Sequence, residues 1–140
     1  KKIKEKVKLP ILCKDFFIDK IQIPLVKSYG ADAILIILSA VSNKLARELY
    51  EEAIKFNMTV IVEVHTAEEA KEAFNFSEAI IGINNRNLKT LHTDINTTYD
   101  ICNHIKNFNG IIISESGIKT KNELMLIKEK TNIKTFLIGE

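Results

Sequence analysis

Cysteine is scarce in this sequence. Cys13 and Cys102 stand far apart, with no Cys-x-x-Cys or Cys/His spacing, so a disulfide framework, a zinc site and a redox motif are all unsupported. Both read as buried thiols in a reducing compartment. Glycine (five) and proline (two) are too few in 140 residues for a collagen-like or low-complexity chain. Long apolar runs are missing as well. Segments such as 33–38 fall far short of the roughly 18 residues that a membrane span needs. The basic start meets Pro10 rather than an apolar h-region, so no signal peptide is expected and a cytoplasmic protein is.

A net excess of charge of one sign is nearly absent too. The net charge is +2, and five of the 20 basic residues (Lys1, Lys2, Lys4, Lys6 and Lys8) lie in the first nine positions beside one Glu. Beyond them 15 basic residues face 17 acidic ones. A phosphate-backbone binder would spread Lys and Arg over a face with aromatics between them, so neither nucleic acid nor a membrane is expected as a partner. With 46% apolar and 27% charged residues, what remains is one globular domain over 1–140 without a linker.

Two kinds of segment alternate along the chain. Apolar runs at 11–13, 33–38, 59–64, 79–83, 111–113 and 136–138 are rich in Ile and Val and lack polar alternation, as strands buried on both faces of a parallel sheet do. Between them lie helical stretches. Over 43–56, Leu45, Leu49, Ala53 and Phe56 recur at helical spacing with charges on the other side. Thr66 before Glu69, and Thr120 before Glu123, have capping-box spacing. Segments 96–107 and 20–29 read as further helices, the latter with Pro24 near its start and Gly30 as its stop. About six β/α units result, an α/β arrangement with a parallel sheet.

Polar residues stand where these strands end, and in a parallel α/β sheet or barrel that end is the binding end. Lys14 follows the first strand; on residue type alone it fits a solvated lysine of a βα loop as well as a site group. Glu63 shares a period-two face with Ile61 and Thr59, where a lone carboxylate is costly, and a site role is favoured over a structural ion pair. His65 reads as structural, covering the start of the next helix beside Thr66, and His92 and His104 show no metal spacing. Asn84 and Asn85 fit a turn. Arg86 is more telling, because only Arg47 and Arg86 are Arg in a chain that otherwise uses Lys, and the guanidinium fork suits a carboxylate or phosphate. Ser116-Gly117, taken with Gly139 after the next strand, suggests two backbone loops able to approach a phosphate.

These residues stand in blocks: Pro10-Ile-Leu-Cys-Lys-Asp-Phe, Gly30-Ala-Asp-Ala-Ile-Leu, Val62-Glu-Val-His, Ile81-Gly-Ile-Asn-Asn-Arg-Asn-Leu, Ser114-Glu-Ser-Gly-Ile and Phe136-Leu-Ile-Gly-Glu. In order and spacing they resemble the indole-3-glycerol-phosphate synthase family, from about residue 10 to residue 140. The resemblance implies a (β/α)8 TIM barrel, here incomplete, that closes the indole ring in tryptophan biosynthesis. It implies Lys14 as the general acid at the substrate carbonyl and Glu63 as the carboxylate that handles protons later. Asn84 and Arg86 would orient the substrate, Glu115 and Ser116 would be substrate-binding, and Gly117 and Gly139 would donate backbone N–H groups to its phosphate. A small phosphorylated substrate is implied, and no cofactor or metal.

A complete barrel of this kind needs about 250 residues. The match covers the family's third to eighth strands, starting in the helix before the third. It lacks the first strand with its Glu-x-Lys pair, the second strand and the last helix with its Ser. The 140-residue chain alone is therefore expected to be inactive and to self-associate through exposed strand edges. Another phosphate-binding barrel, such as a phosphoribosyl isomerase, and a truncated non-catalytic assembly module are the competing readings. The Lys-Asp-Phe and Asn-Asn-Arg-Asn-Leu blocks favour the synthase over the isomerase.

Overall fold

A computed structural model describes residues 2–139; Lys1 and Glu140, which end the basic run and the last block, lie outside the described residues. Among the described residues six strands take the sheet order β1-β2-β3-β4-β5-β6, which is also their order in sequence. The β1–β2, β4–β5 and β5–β6 ladders are parallel, so each strand returns to its neighbour through a helical connection. The chain divides into two compact units, Lys1–Val62 with Phe76–Ala79, and Glu63–Asn75 with Ile80–Glu140. Among the described residues no helix is long and apolar enough to cross a membrane.

In the first unit, β1 (Leu12–Cys13) pairs with β2 (Ala33–Ile37) in the register Leu12↔Ala33 and Cys13↔Ile34. Helix α1 (Gln22–Ser28) lies between them and ends at Gly30, whose φ of +91° is the left-handed conformation that favours glycine. Asp32 fixes how the strands begin. Its carboxylate accepts the Ile11 N–H at 2.7 Å and the Lys4 ammonium, and its carbonyl accepts the Thr59 N–H at 3.0 Å. The Lys4 hydrogen bond, then that from Ile11, holds the Asp32 carboxyl below the usual range.

Helix α2 (Asn43–Lys55) starts on Ser42, whose hydroxyl accepts the Leu45 N–H at 3.2 Å. Its buried stripe is Ala46, Leu49 and Ala53. Leu45 and Phe56, expected on that stripe, are only partly buried, because the small Ala46 takes the central place. Tyr50 packs edge-on against Phe76 at 5.2 Å and accepts the Glu78 N–H at 3.0 Å. Strand β3 (Thr59–Val64) is buried from Val60 onward, as a run without polar alternation requires.

The second unit holds α3 (Ala67–Glu72), β4 (Ile80–Asn84), α4 (Asn96–His104), β5 (Ile112–Glu115), α5 (Lys121–Thr131) and β6 (Thr135–Leu137). Pairing runs Ile81↔Ile112 through Asn84↔Glu115, then Ile113↔Thr135 through Glu115↔Leu137. Strands β4 and β5 thus extend past the apolar residues expected to end them, into Asn84 and Glu115. The ladder continues there, since the Asn85 N–H donates to the Glu115 carbonyl at 2.9 Å. Helix α4 stops at His104, short of the expected 107. At the chain start, where the family's preceding helix is expected, the Val7 N–H reaches the Ile3 carbonyl in a single turn.

The cysteines are half-buried rather than buried. Burial, aided by Asp15, raises the Cys13 thiol, and burial alone raises Cys102 to about 11. At α5, the Thr120 hydroxyl accepts the Glu123 N–H at 3.2 Å while the Glu123 carboxylate accepts the Thr120 N–H at 2.9 Å, completing the capping box. Thr120→Ala should cost about 1 kcal/mol of stability, read as a lower urea midpoint at unchanged slope.

Candidate active site

Lys14 belongs to the first unit, exposed, one residue beyond β1. All the other site residues read from the sequence belong to the second.

Glu63 lies near the end of β3 with 1% of its surface exposed. A carboxylate out of water needs donors. Asn84, the last residue of β4 and itself 5% exposed, supplies one: its Nδ2 donates to Glu63 Oε1 at 2.8 Å. The other end of the same amide accepts the Arg86 N–H at 2.9 Å, so Asn84 links the buried carboxylate to the backbone that carries the arginine. Asn84 is also the register partner of Glu115, which is fully buried. The turn expected of Asn84 and Asn85 is met only in part: Asn84 closes the strand, its side chain takes the Arg86 N–H two residues on as an Asx turn does, and both side chains are buried.

Arg86 is exposed, and its backbone bridges Thr93 in antiparallel fashion. Between them Asn87 builds the loop. Its N–H donates to the His92 carbonyl at 2.9 Å and its side chain accepts the Lys89 and Thr90 N–H groups. A cavity of about 220 Å³ opens among His65, Asn84, Asn87, His92 and Asp94. The arrangement offers a buried carboxylate, an amide that orients it, and an exposed cationic fork on a braced loop.

Asn85 serves the other side of the strand. Its Nδ2 donates to Ser114 Oγ and to the Ser116 carbonyl, both at 3.1 Å. Its Oδ1 accepts the Thr98 N–H at 3.1 Å and the Thr98 hydroxyl at 2.8 Å, and the Thr98 and Ser114 hydroxyls meet at 2.8 Å. This network holds Ser116 at φ +66°, an uncommon left-handed conformation for a residue with a side chain, followed by Gly117 at φ +74°. At Gly117 a Cβ would also come within 3.1 Å of Thr93. Gly139 is exposed, and a Cβ there would meet no atom within 4 Å, so the packing of the described chain does not require glycine.

Helix α3 begins at Thr66, whose hydroxyl accepts the Glu69 N–H at 3.2 Å. The Glu69 carboxylate accepts the His65 N–H at 2.7 Å. His65 Nδ1 lies 3.6 Å from Glu69 Oε2, and its Nε2 lies 3.4 Å from Glu63 Oε1. Burial works to raise the Glu69 carboxyl, but the hydrogen bonds from the His65 ring and backbone outweigh it and leave it lowered. Sequence reasoning assigned His65 only to the helix start, and missed Asn85, Thr98 and Ser114 as a buried network. A period-two reading does place Asn85 opposite Asn84, but nothing local brings Thr98 to it. Among the described residues no group of three His, Cys, Asp or Glu side chains is arranged to hold a metal ion.

The whole of residues 1–140 matches the family model described as indole-3-glycerol phosphate synthase. The chain belongs to the indole-3-glycerol phosphate synthase family. An indole-3-glycerol phosphate synthase of Oceanobacillus iheyensis is 48% identical over 138 residues, which cover 99% of this chain and 52% of that protein. One from Bacillus cereus strain AH187 is 39% identical over 98% of this chain and 54% of its own length. The tryptophan biosynthesis protein TrpCF of Buchnera aphidicola subsp. Schizaphis graminum is 47% identical over 95% of this chain and 29% of its own length. The chain thus spans about half the length of the synthases it matches. The six strands among its described residues correspond to six of the β/α units of a (β/α)8 TIM-barrel family.

The buried network yields a stability prediction independent of activity. Asn85→Ala leaves the Thr98 and Ser114 hydroxyls without their shared amide, and should cost about 1–3 kcal/mol in urea unfolding.

Proposed function

We propose that this chain carries part of the active site of an indole-3-glycerol-phosphate synthase. The reaction converts 1-(2-carboxyphenylamino)-1-deoxyribulose 5-phosphate to indole-3-glycerol phosphate, carbon dioxide and water. The observation that carries the reading is Glu63, buried at the end of β3 and held by Asn84, in a chain matched by that family along its whole length.

In this proposal the ring carbon bearing the carboxylate attacks the ketone carbon, and Lys14 protonates the oxygen as the carbon–carbon bond forms. Loss of carbon dioxide restores the aromatic ring. The new hydroxyl then departs as water while a proton leaves the neighbouring carbon, and Glu63 handles the protons of these later steps. Asn84 and Arg86 orient the substrate, with Glu115 and Ser116 beside it. Backbone N–H groups at Gly117 and Gly139 take the phosphate, whose remote binding orients the reacting centre. The left-handed Ser116–Gly117 turn supports the phosphate assignment. The same reading takes 1–140 as a single domain of a cytoplasmic protein, consistent with two free cysteines.

Indole fluorescence tests the reaction. In the complete protein, Lys14→Ala or Glu63→Gln should lower turnover about a hundredfold or more with folding intact. The 140-residue chain alone should bind substrate weakly and not turn it over, because groups that act as a unit fail together. Wild-type turnover in either substituted protein would overturn the role of the residue replaced.

We further propose that the 140-residue chain on its own self-associates through β1 and β6, the strands that end the sheet order. Exposed Leu9, Phe16, Ile18 and Ile21 around β1 and α1, and Ile138 after β6, support this. Sedimentation at micromolar concentration should give a dimer or larger species. A monomer that unfolds cooperatively would refute it.

A further inference from the structure

His65 has two tasks open to it, and the structure separates them. The start of α3 is served without the imidazole: the Thr66 hydroxyl caps Glu69, and the Glu69 carboxylate takes the His65 backbone N–H. Any residue at position 65 other than proline would supply that N–H. The ring, however, is pinned between two carboxylates, with Nδ1 3.6 Å from Glu69 and Nε2 3.4 Å from Glu63, and is only 13% exposed. Nε2 approaches the same Glu63 oxygen that accepts from Asn84. His65 also lines the 220 Å³ cavity at the strand ends.

We propose that His65 is a positioning residue for Glu63, with Glu69 fixing the imidazole from the far side so that Nε2 is presented to the buried carboxylate. This rests on the proposed function, in which Glu63 moves protons. A carboxylate that must give and take a proton has to keep one orientation in both states. Each group held against its oxygens narrows the swing open to it, and the imidazole meets the very oxygen that Asn84 holds. The two ring nitrogens are distinct, and the partner of one decides how the other is presented. At 3.4 Å the contact is long for a hydrogen bond, as contacts at reacting groups often are before substrate binds and tightens them. The lowered Glu69 carboxyl agrees with a ring held against it.

Two substitutions divide the ring's nitrogens. His65→Asn keeps an amide near the Nδ1 position, toward Glu69; His65→Gln keeps one near the Nε2 position, toward Glu63. In the complete protein, His65→Asn should lower kcat for indole formation about tenfold with KM little changed, the size of losing an outer supporting partner, and His65→Gln should recover most of it. A purely structural role predicts no such split, and equal kcat in both variants, wild-type or reduced, would overturn the proposal. The ring nitrogen NMR signals of His65 give a second readout that needs no substrate. Glu63→Gln should shift the Nε2 signal and Glu69→Gln the Nδ1 signal; an Nε2 signal indifferent to Glu63→Gln would equally overturn it. If the unsubstituted complete protein forms no indole, the proposed function falls, while the ring signals still decide whether His65 holds Glu63.

Discussion

A carboxylate taken out of water must be held by donors, and the ends of β3 and β4 meet that requirement at Glu63. Asn84 answers it by remaining in the strand instead of turning out of it. Because its amide has two ends, the donor to Glu63 and the acceptor for the Arg86 N–H are fixed together. The start of the β4–α4 loop is therefore tied to the burial of one acid, while Asn87 and the Arg86–Thr93 bridge build the rest. His65 and Glu69 extend the same chain of constraint to the first turn of α3.

Asn85 turns the opposite face of the same strand end into a second, separate network. There the polar groups are neutral, and amide, hydroxyls and backbone meet one another's needs within hydrogen-bond distance. A satisfied buried network of this kind specifies one arrangement, because every alternative leaves a donor or acceptor stranded. Its product is the left-handed Ser116–Gly117 turn, braced by the Ser116 carbonyl on Asn85 and by Thr93 packed against Gly117. Two adjacent asparagines, alternating across a strand, thus serve the acid and the turn respectively. In the first unit a lone aspartate has a comparable task at the opposite strand ends, where Asp32 ties Ile11, Lys4 and Thr59 to the start of β2.

The α/β class, the six strands and the order of helices were determined by the sequence itself. Ile- and Val-rich runs without polar alternation can be buried only on both faces, and Thr-x-x-Glu spacing satisfies helix starts locally, so these features need no distant partner. The same holds for Glu63, whose place among apolar neighbours marks it in any window around β3. Only the tertiary structure decided the rest. That the Asn84 and Asn85 side chains are buried at the strand end depends on Glu63 lying 21 residues away and Thr98 lying 13 away. That Leu45 yields the centre of α2 to Ala46 depends on what faces that helix. That His65 meets a second acid depends on side-chain directions at the end of β3. In each case the local sequence leaves two conformations close in energy, and a buried polar group or a packing surface elsewhere in the chain decides between them.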